Sequence, residues 1–157
     1  MSKLFSFFVI LFASSLTGCM KVDDPFVDRV VTPVLVLVDN ATGDGGGLTA
    51  EPVVSQKVAG PVTLAIRIYE LDKSGLLDHR VGIDSIPVPA QAIRLTTRTG
   101  TALGTLTTDA NGRASISKTW AELGVATPQA GSNVSLTWSG EYKGQAFSRL
   151  SRVQAVN

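Results

Sequence analysis

The segment Val62 to Leu71, VTLAIRIYEL, carries the clearest strand signal in the chain. Successive side chains of an extended backbone point to opposite faces. Val62, Leu64, Ile66 and Ile68 therefore share one side, and Thr63, Arg67 and Tyr69 the other.

The same period of two recurs on both flanks. Downstream, Gly75 to Ile83 reads as a loop carrying Asp78, His79 and Arg80, and Pro87 and Pro89 then lead into Ala92–Arg98. There Ile93 and Leu95 face inward, with Arg94, Thr96 and Arg98 outward. Seven of the thirteen residues from Thr96 to Thr108 are threonine, and such β-branched density suits a half-buried pleated surface. Leu103–Thr108 and Arg113–Trp120 flank Asp109-Ala110-Asn111-Gly112. That tetrapeptide predicts a hairpin, because Asp opens a type I turn and Asn or Gly takes the left-handed position that closes it. Trp120–Leu123 predicts one helical turn ended by Gly124. Val134, Leu136 and Trp138 alternate with Ser135 and Thr137, and Ser139 to Gly144 predicts a second hairpin turn. The last strand, Ala146–Val153, has its apolar Phe147, Leu150 and Val153 three apart, so its facing is not set by pattern.

Upstream, Val34–Val38 is a continuous apolar run between Pro33 and Asp39-Asn40, the pattern of a fully buried strand. Asn40 to Gly47, NATGDGGG, predicts a flexible loop, and Val53–Val58 a short edge strand. The expectation is an all-β chain: a single antiparallel β-sandwich of about seven strands over residues 33–157. That length buries enough surface for one core without disulfides.

The 157 residues contain one Cys and one His and carry a formal charge of +1. One Cys forms no intramolecular disulfide, and with one His it builds no Cys/His zinc site. A near-neutral chain offers no basic footprint for nucleic acid, and 44% hydrophobic residues exclude a disordered chain.

The amino terminus has a different composition. Lys3 precedes a ten-residue apolar run, Leu4 to Ala13, too short for the roughly 20 residues that span a bilayer. Leu16-Thr17-Gly18-Cys19 follows and resembles the bacterial lipobox. The resemblance implies cleavage between Gly18 and Cys19 after an 18-residue signal peptide. It also implies a diacylglyceride on the Cys19 thiol and a further acyl group on the new amino terminus. Two acyl chains suffice for stable anchoring, so the partner implied is membrane lipid, with no transmembrane helix. Phe5, Phe7, Phe8, Phe12 and Lys3 leave with the signal, which leaves 13 basic and 13 acidic side chains. Residues 19–32 then form a tether. Met20 stands where Asp resembles an inner-membrane retention signal, so the outer membrane is the favoured location. Lys21, Asp23 and Asp24 loosely resemble a surface-export signal and read equally well as a solvated tether.

Residues Ser85 to Trp120, with Thr108-Asp109-Ala110-Asn111-Gly112-Arg113-Ala114 at their centre, resemble the bacterial immunoglobulin-like domains of invasins and other surface proteins. They also resemble the carboxypeptidase-regulatory, transthyretin-like domains of envelope proteins. The resemblance covers about a quarter of the chain, implies an immunoglobulin-like sandwich, and carries no catalytic residue.

Candidate sites are sparse. His79 beside Asp78 lacks a nucleophile partner, because there is no G-x-S-x-G segment and no second His. The sequence therefore predicts no catalytic residue and no cofactor. Asp39 and Asp44 frame a Gly-rich loop that can offer oxygen ligands, but their spacing is not that of an EF-hand, and no phosphate-loop lysine follows. Asp84-Ser85-Ile86 looks like a short bacterial O-glycosylation sequence. Tyr142, Trp120 and Trp138 are candidates for stacking on sugars; Trp138 continues the inward series, which leaves Tyr142 the more exposed. Arg94, Arg98, Arg113, Arg149 and Arg152 fall on predicted strands and suggest either a basic stripe or a solvated face. The leading expectation is an anchored, non-catalytic structural, adhesive or accessory module with an envelope protein or glycan as partner. A ligand- or glycan-binding lipoprotein is the alternative, and an envelope hydrolase using His79 the third reading.

Overall fold

A computed structural model describes residues 32–43, 47 and 49–157. Cys19, Gly18 and Asp44 lie outside the described residues. Thr32–Asn157 forms one compact unit, an all-β sandwich with ten strands in two sheets among the described residues. The strands are β1 (Leu35–Val38), β2 (Ala41–Thr42), β3 (Val53–Lys57), β4 (Val62–Asp72), β5 (Asp84–Pro87), β6 (Ala92–Thr97), β7 (Ala102–Thr107), β8 (Arg113–Lys118), β9 (Asn133–Tyr142) and β10 (Gln145–Val156). Among the described residues no helix is long and apolar enough to cross a membrane.

The strand clearest in the sequence is β4, in the smaller sheet. It pairs with β1 on one side and, on the other, with β8 along its first half and β5 along its last residues. The larger sheet runs β2-β3-β10-β9-β6-β7. The strands β1, β4 and β8 thus lie in one sheet and β10, β9 and β6 in the other. The inward residues of β4, all fully buried, meet Ile93, Leu95, Leu136, Trp138 and Val153 of the larger sheet. Burial of these aliphatic side chains and of Trp138 is the main stabilising contribution, about 1.5–3 kcal/mol for each large apolar side chain.

Several local expectations change. The antiparallel expectation fails at one pair, since β3 runs parallel to β10. The short β2 covers β3 at Val53 and Val54, and β3 is an edge, as expected, only from Ser55 to Lys57. The run Val34–Val38 is not buried on both faces. Val34, Val36 and Val38 are buried, while Leu35 and Leu37 are half-buried beside Gly47. A Cβ on Gly47 would stand 2.6 Å from Leu35 Cδ1, so glycine permits this close approach. β2 and β5 raise the strand number above seven. The DSIP sequence of β5 is exposed throughout and has no alternation to read.

The largest departure is at Asp109–Gly112. The turn forms as expected: Asp109 N–H donates to Arg113 O (2.8 Å), and Asp109 Oδ1 accepts the Asn111 and Arg113 N–H groups. Its flanks do not form a hairpin, however, because β7 pairs with β6 in the larger sheet and β8 with β4 in the smaller. The turn is an arch that carries the chain across the core. It is fixed to β4 by Ile68 N–H donating to Gly112 O at 2.9 Å, and Gly112 has φ +70° with room for no Cβ, which would lie 2.4 Å from Ile68 O. The buried Thr108 hydroxyl donates to Val88 O (2.7 Å) and accepts from Gln91 N–H (2.8 Å), tying the arch to the Pro87–Gln91 turn.

On β10 the inward series is Phe147, half-buried Arg149, Ser151, Val153 and Ala155. Ser151 breaks the apolar period, and its Oγ accepts the Trp138 indole N–H at 2.9 Å, which satisfies both buried polar groups. The turn after β8 is the expected single helical turn. Thr119 and Glu122 form a reciprocal capping box, and Gly124 (φ +89°) closes it with Val125 N–H on Trp120 O.

Candidate functional site

The strand register places two features at one pole of the sandwich. Leu35 pairs with Tyr69 and Val38 with Ile66, so the chain comes into β1 at the end of β4 that carries Tyr69–Asp72. From that same end, residues 73–83 leave the sheet and return at Asp84, the partner of Asp72.

This excursion is ordered by its own backbone. Leu76 N–H donates to Lys73 O, Asp78 N–H to Gly75 O, and the Val81 and Gly82 N–H groups to Asp78 O, all at 2.8–3.0 Å. The Asp72 and Asp78 carboxylates accept Ser74 and Arg80 N–H, the local side-chain bonding that makes Asp a turn residue. Ionisation of Asp72 is favoured by the backbone and hydroxyl of Ser74, which hold its carboxyl below the usual range. Gly75 sits against Val81 and Gly82, where a Cβ would clash at 2.4 Å with Val81 Cγ1. The consequence is an apolar tip. Leu77 is 100% exposed, Val81 66% and Leu76 57%, followed by Ile83 and Ile86. Among the described residues, every large apolar side chain that stands exposed lies between Leu76 and Ile86, in this excursion or on β5.

The β9–β10 turn is braced at the same pole. Lys143 (φ +51°) and Gly144 (φ +77°) make the two-residue turn, narrower than the expected Ser139–Gly144, with Tyr142 ending the strand. The Tyr142 hydroxyl donates to Glu70 Oε2 (2.7 Å), and Lys143 Nζ to Oε1 (2.5 Å) while lying 5.2 Å from the Tyr142 ring centre. Lys143 first and Tyr142 second hold the Glu70 carboxyl below its usual range, and the same carboxylate pushes the Tyr142 phenol up. Tyr142 thus joins the two sheets, with its polar tip already engaged.

Asp39 also has partners. Its Oδ1 lies 2.6 Å from Arg67 Nε and its Oδ2 2.9 Å from Arg113 Nε, with the carboxylate side chain only 11% exposed. Burial opposes ionisation, but the hydrogen bonds from Arg113 and Arg67 outweigh it and hold the carboxyl below the usual carboxylate range. Both oxygens offered by the sequence as cation ligands are therefore spent on guanidinium groups. Among the described residues no group of three His, Cys, Asp or Glu side chains gathers to hold a metal.

The remaining candidates separate. His79 is exposed on the excursion, and its neighbour Asp78 is turned toward the backbone of Arg80. Trp138 and Trp120 are buried with their indole N–H groups satisfied by Ser151 and Lys57 O, so neither presents a stacking face. The arginines do not form one stripe. Arg94 and Arg152 lie on the outer face of the larger sheet, Arg113 is on the smaller sheet, and Arg149 pairs across from buried Trp138. Glu51 neutralises Arg152 (2.7 Å) and reaches Arg98 (3.5 Å). The apolar tip went unread because Leu76-Leu77 falls in a loop without period; two adjacent leucines among polar turn residues were the available signal. No known protein family and no curated protein sequence matches the chain.

Proposed function

We propose that the chain is a cell-envelope lipoprotein, cleaved before Cys19 and held to the membrane by acyl chains on that residue. It presents a non-catalytic, immunoglobulin-like β-sandwich as a structural, adhesive or accessory module, with the outer membrane the favoured location. The observation that carries this reading is the order of positive start, ten-residue apolar run and Leu16-Thr17-Gly18-Cys19. A compact β unit follows from Thr32. The strand order, with β1-β4-β8 in one sheet and β10-β9-β6 in the other as the A-B-E and G-F-C strands lie in immunoglobulin-type sandwiches, supports the immunoglobulin-like assignment. The test compares membrane retention after a high-salt wash for the wild type and Cys19→Ser. The wild type stays with the membrane and Cys19→Ser is released; equal retention of the two refutes the anchor.

A further inference from the structure

We propose that Leu76, Leu77 and Val81 insert into the surface of the same bilayer that holds Cys19, so that the sandwich is docked by its apolar tip as well as by its tether. This rests on the anchor reading of Cys19. Three observations carry it. The tip is built to be exposed: backbone hydrogen bonds order residues 73–82, and Leu77 between them stands fully in solvent. The tip also shares a pole with the incoming chain, because Leu35 pairs with Tyr69 and Asp72 with Asp84. The thirteen peptide units from Cys19 to Thr32 reach at most about 45 Å, so the anchor keeps this pole within reach of the membrane.

The third observation is the chemistry of the tip. Leu76, Leu77 and Val81 head a run of five exposed aliphatic side chains that ends at Ile86, with no Phe, Trp or Tyr among residues 73–83, and so without the aromatic anchors that mark the core of a protein interface. A bilayer surface accepts such a wedge. Residues 72–84 carry Asp72, Asp78 and Asp84 against Lys73 and Arg80. The contact is accordingly apolar, and neither salt nor the anionic lipid fraction governs it.

The experiment uses the full acylated chain with Leu77→Cys labelled by an environment-sensitive fluorophore, in phosphatidylethanolamine–phosphatidylglycerol vesicles containing nitroxide-bearing acyl chains. Ala126→Cys is the reference at the opposite pole, past Lys118, the partner of Val62. Both positions are exposed, so the labels disturb no packing. The label at 77 is expected to shift to the blue and lose most of its emission to the nitroxide lipids, equally at low and high salt, while the label at 126 does neither. A label at 77 that behaves like the one at 126 on an acylated chain overturns the proposal. So does a blue shift without lipid quenching, which assigns the tip to a second copy or another protein. The mass of the Cys19 peptide reads the anchor independently: quenching without an acyl group keeps the tip contact and refutes the anchor, and an acyl group without quenching does the reverse.

Discussion

Replacing Asp39 with Asn removes the one charge between two guanidinium groups on paired strands. Arg67 and Arg113 are direct cross-strand partners, and like charges in that position repel. The Asp39 carboxylate binds one with each oxygen and turns the repulsion into a bridge. The arginine side chains are 46% and 43% exposed, which dilutes each contact. Each half-exposed contact contributes about 0.5–1 kcal/mol, and leaving like charges opposed costs about 0.2–1 kcal/mol more, so Asp39→Asn is expected to lose about 1–3 kcal/mol. Urea unfolding followed through buried Trp138 and Trp120 reads this as a lower midpoint at unchanged slope. The sharper outcome is a change of sign. Arg113→Gln is destabilising in the wild type, where it breaks a bridge, and neutral or stabilising beside Asp39→Asn, where it relieves repulsion. Added salt narrows the gap between Asp39→Asn and wild type, since screening acts within about 3 Å at 1 M. Additive losses in the double variant would refute this account of the triad. The pH dependence follows from the lowered carboxyl of Asp39. A depressed folded-state value gives stability present above the ordinary carboxylate range and lost as pH falls below it, so Asp39→Asn is expected to show a shallower acid limb.

Three other substitutions address the turns. Gly112→Ala, at φ +70° with its Cβ 2.4 Å from Ile68 O, is expected to cost about 2–4 kcal/mol through left-handed strain and the lost Ile68–Gly112 bond, read by the same unfolding assay. Thr108→Val keeps the shape but removes the acceptor of Gln91 N–H and the donor to Val88 O, for an expected loss of about 1–3 kcal/mol; a neutral result would show that water replaces the hydroxyl. The Glu122 carboxyl, held down to about 2 by the Thr119 backbone and hydroxyl and then by Lys118, stabilises its turn above its ordinary value near 4.5 and loses that contribution as pH falls toward 2. Carboxyl titration by NMR should place it there, and Glu122→Gln should remove this part of the acid transition.

The sequence was most legible where one strand decides its own facing. The alternation of Val62–Ile68, Ile93–Leu95 and Val134–Trp138 reappears in the core because each needs only its own period and one buried side. Pairing was less legible. Asp109–Gly112 specifies a tight turn, but whether its flanks pair depends on β4 and β6, which compete for them from elsewhere in the chain. β10 obscured its facing because a serine occupies a core position, and only the indole of Trp138, thirteen residues away, explains it. The Asp39 bridge joins residues 28 and 74 positions apart, so no local pattern announces it. Of the candidate site, the lipobox-like Leu16–Cys19 segment is a sequence property, whereas the tip became visible only when the register placed Leu77 and the incoming chain at one pole.

The most direct measurement is the intact mass of the chain extracted from membranes, with fragmentation of its first residues. The account predicts a chain beginning at Cys19 with diacylglycerol on its sulfur. A chain beginning at Met1, or a free thiol at residue 19, would contradict it.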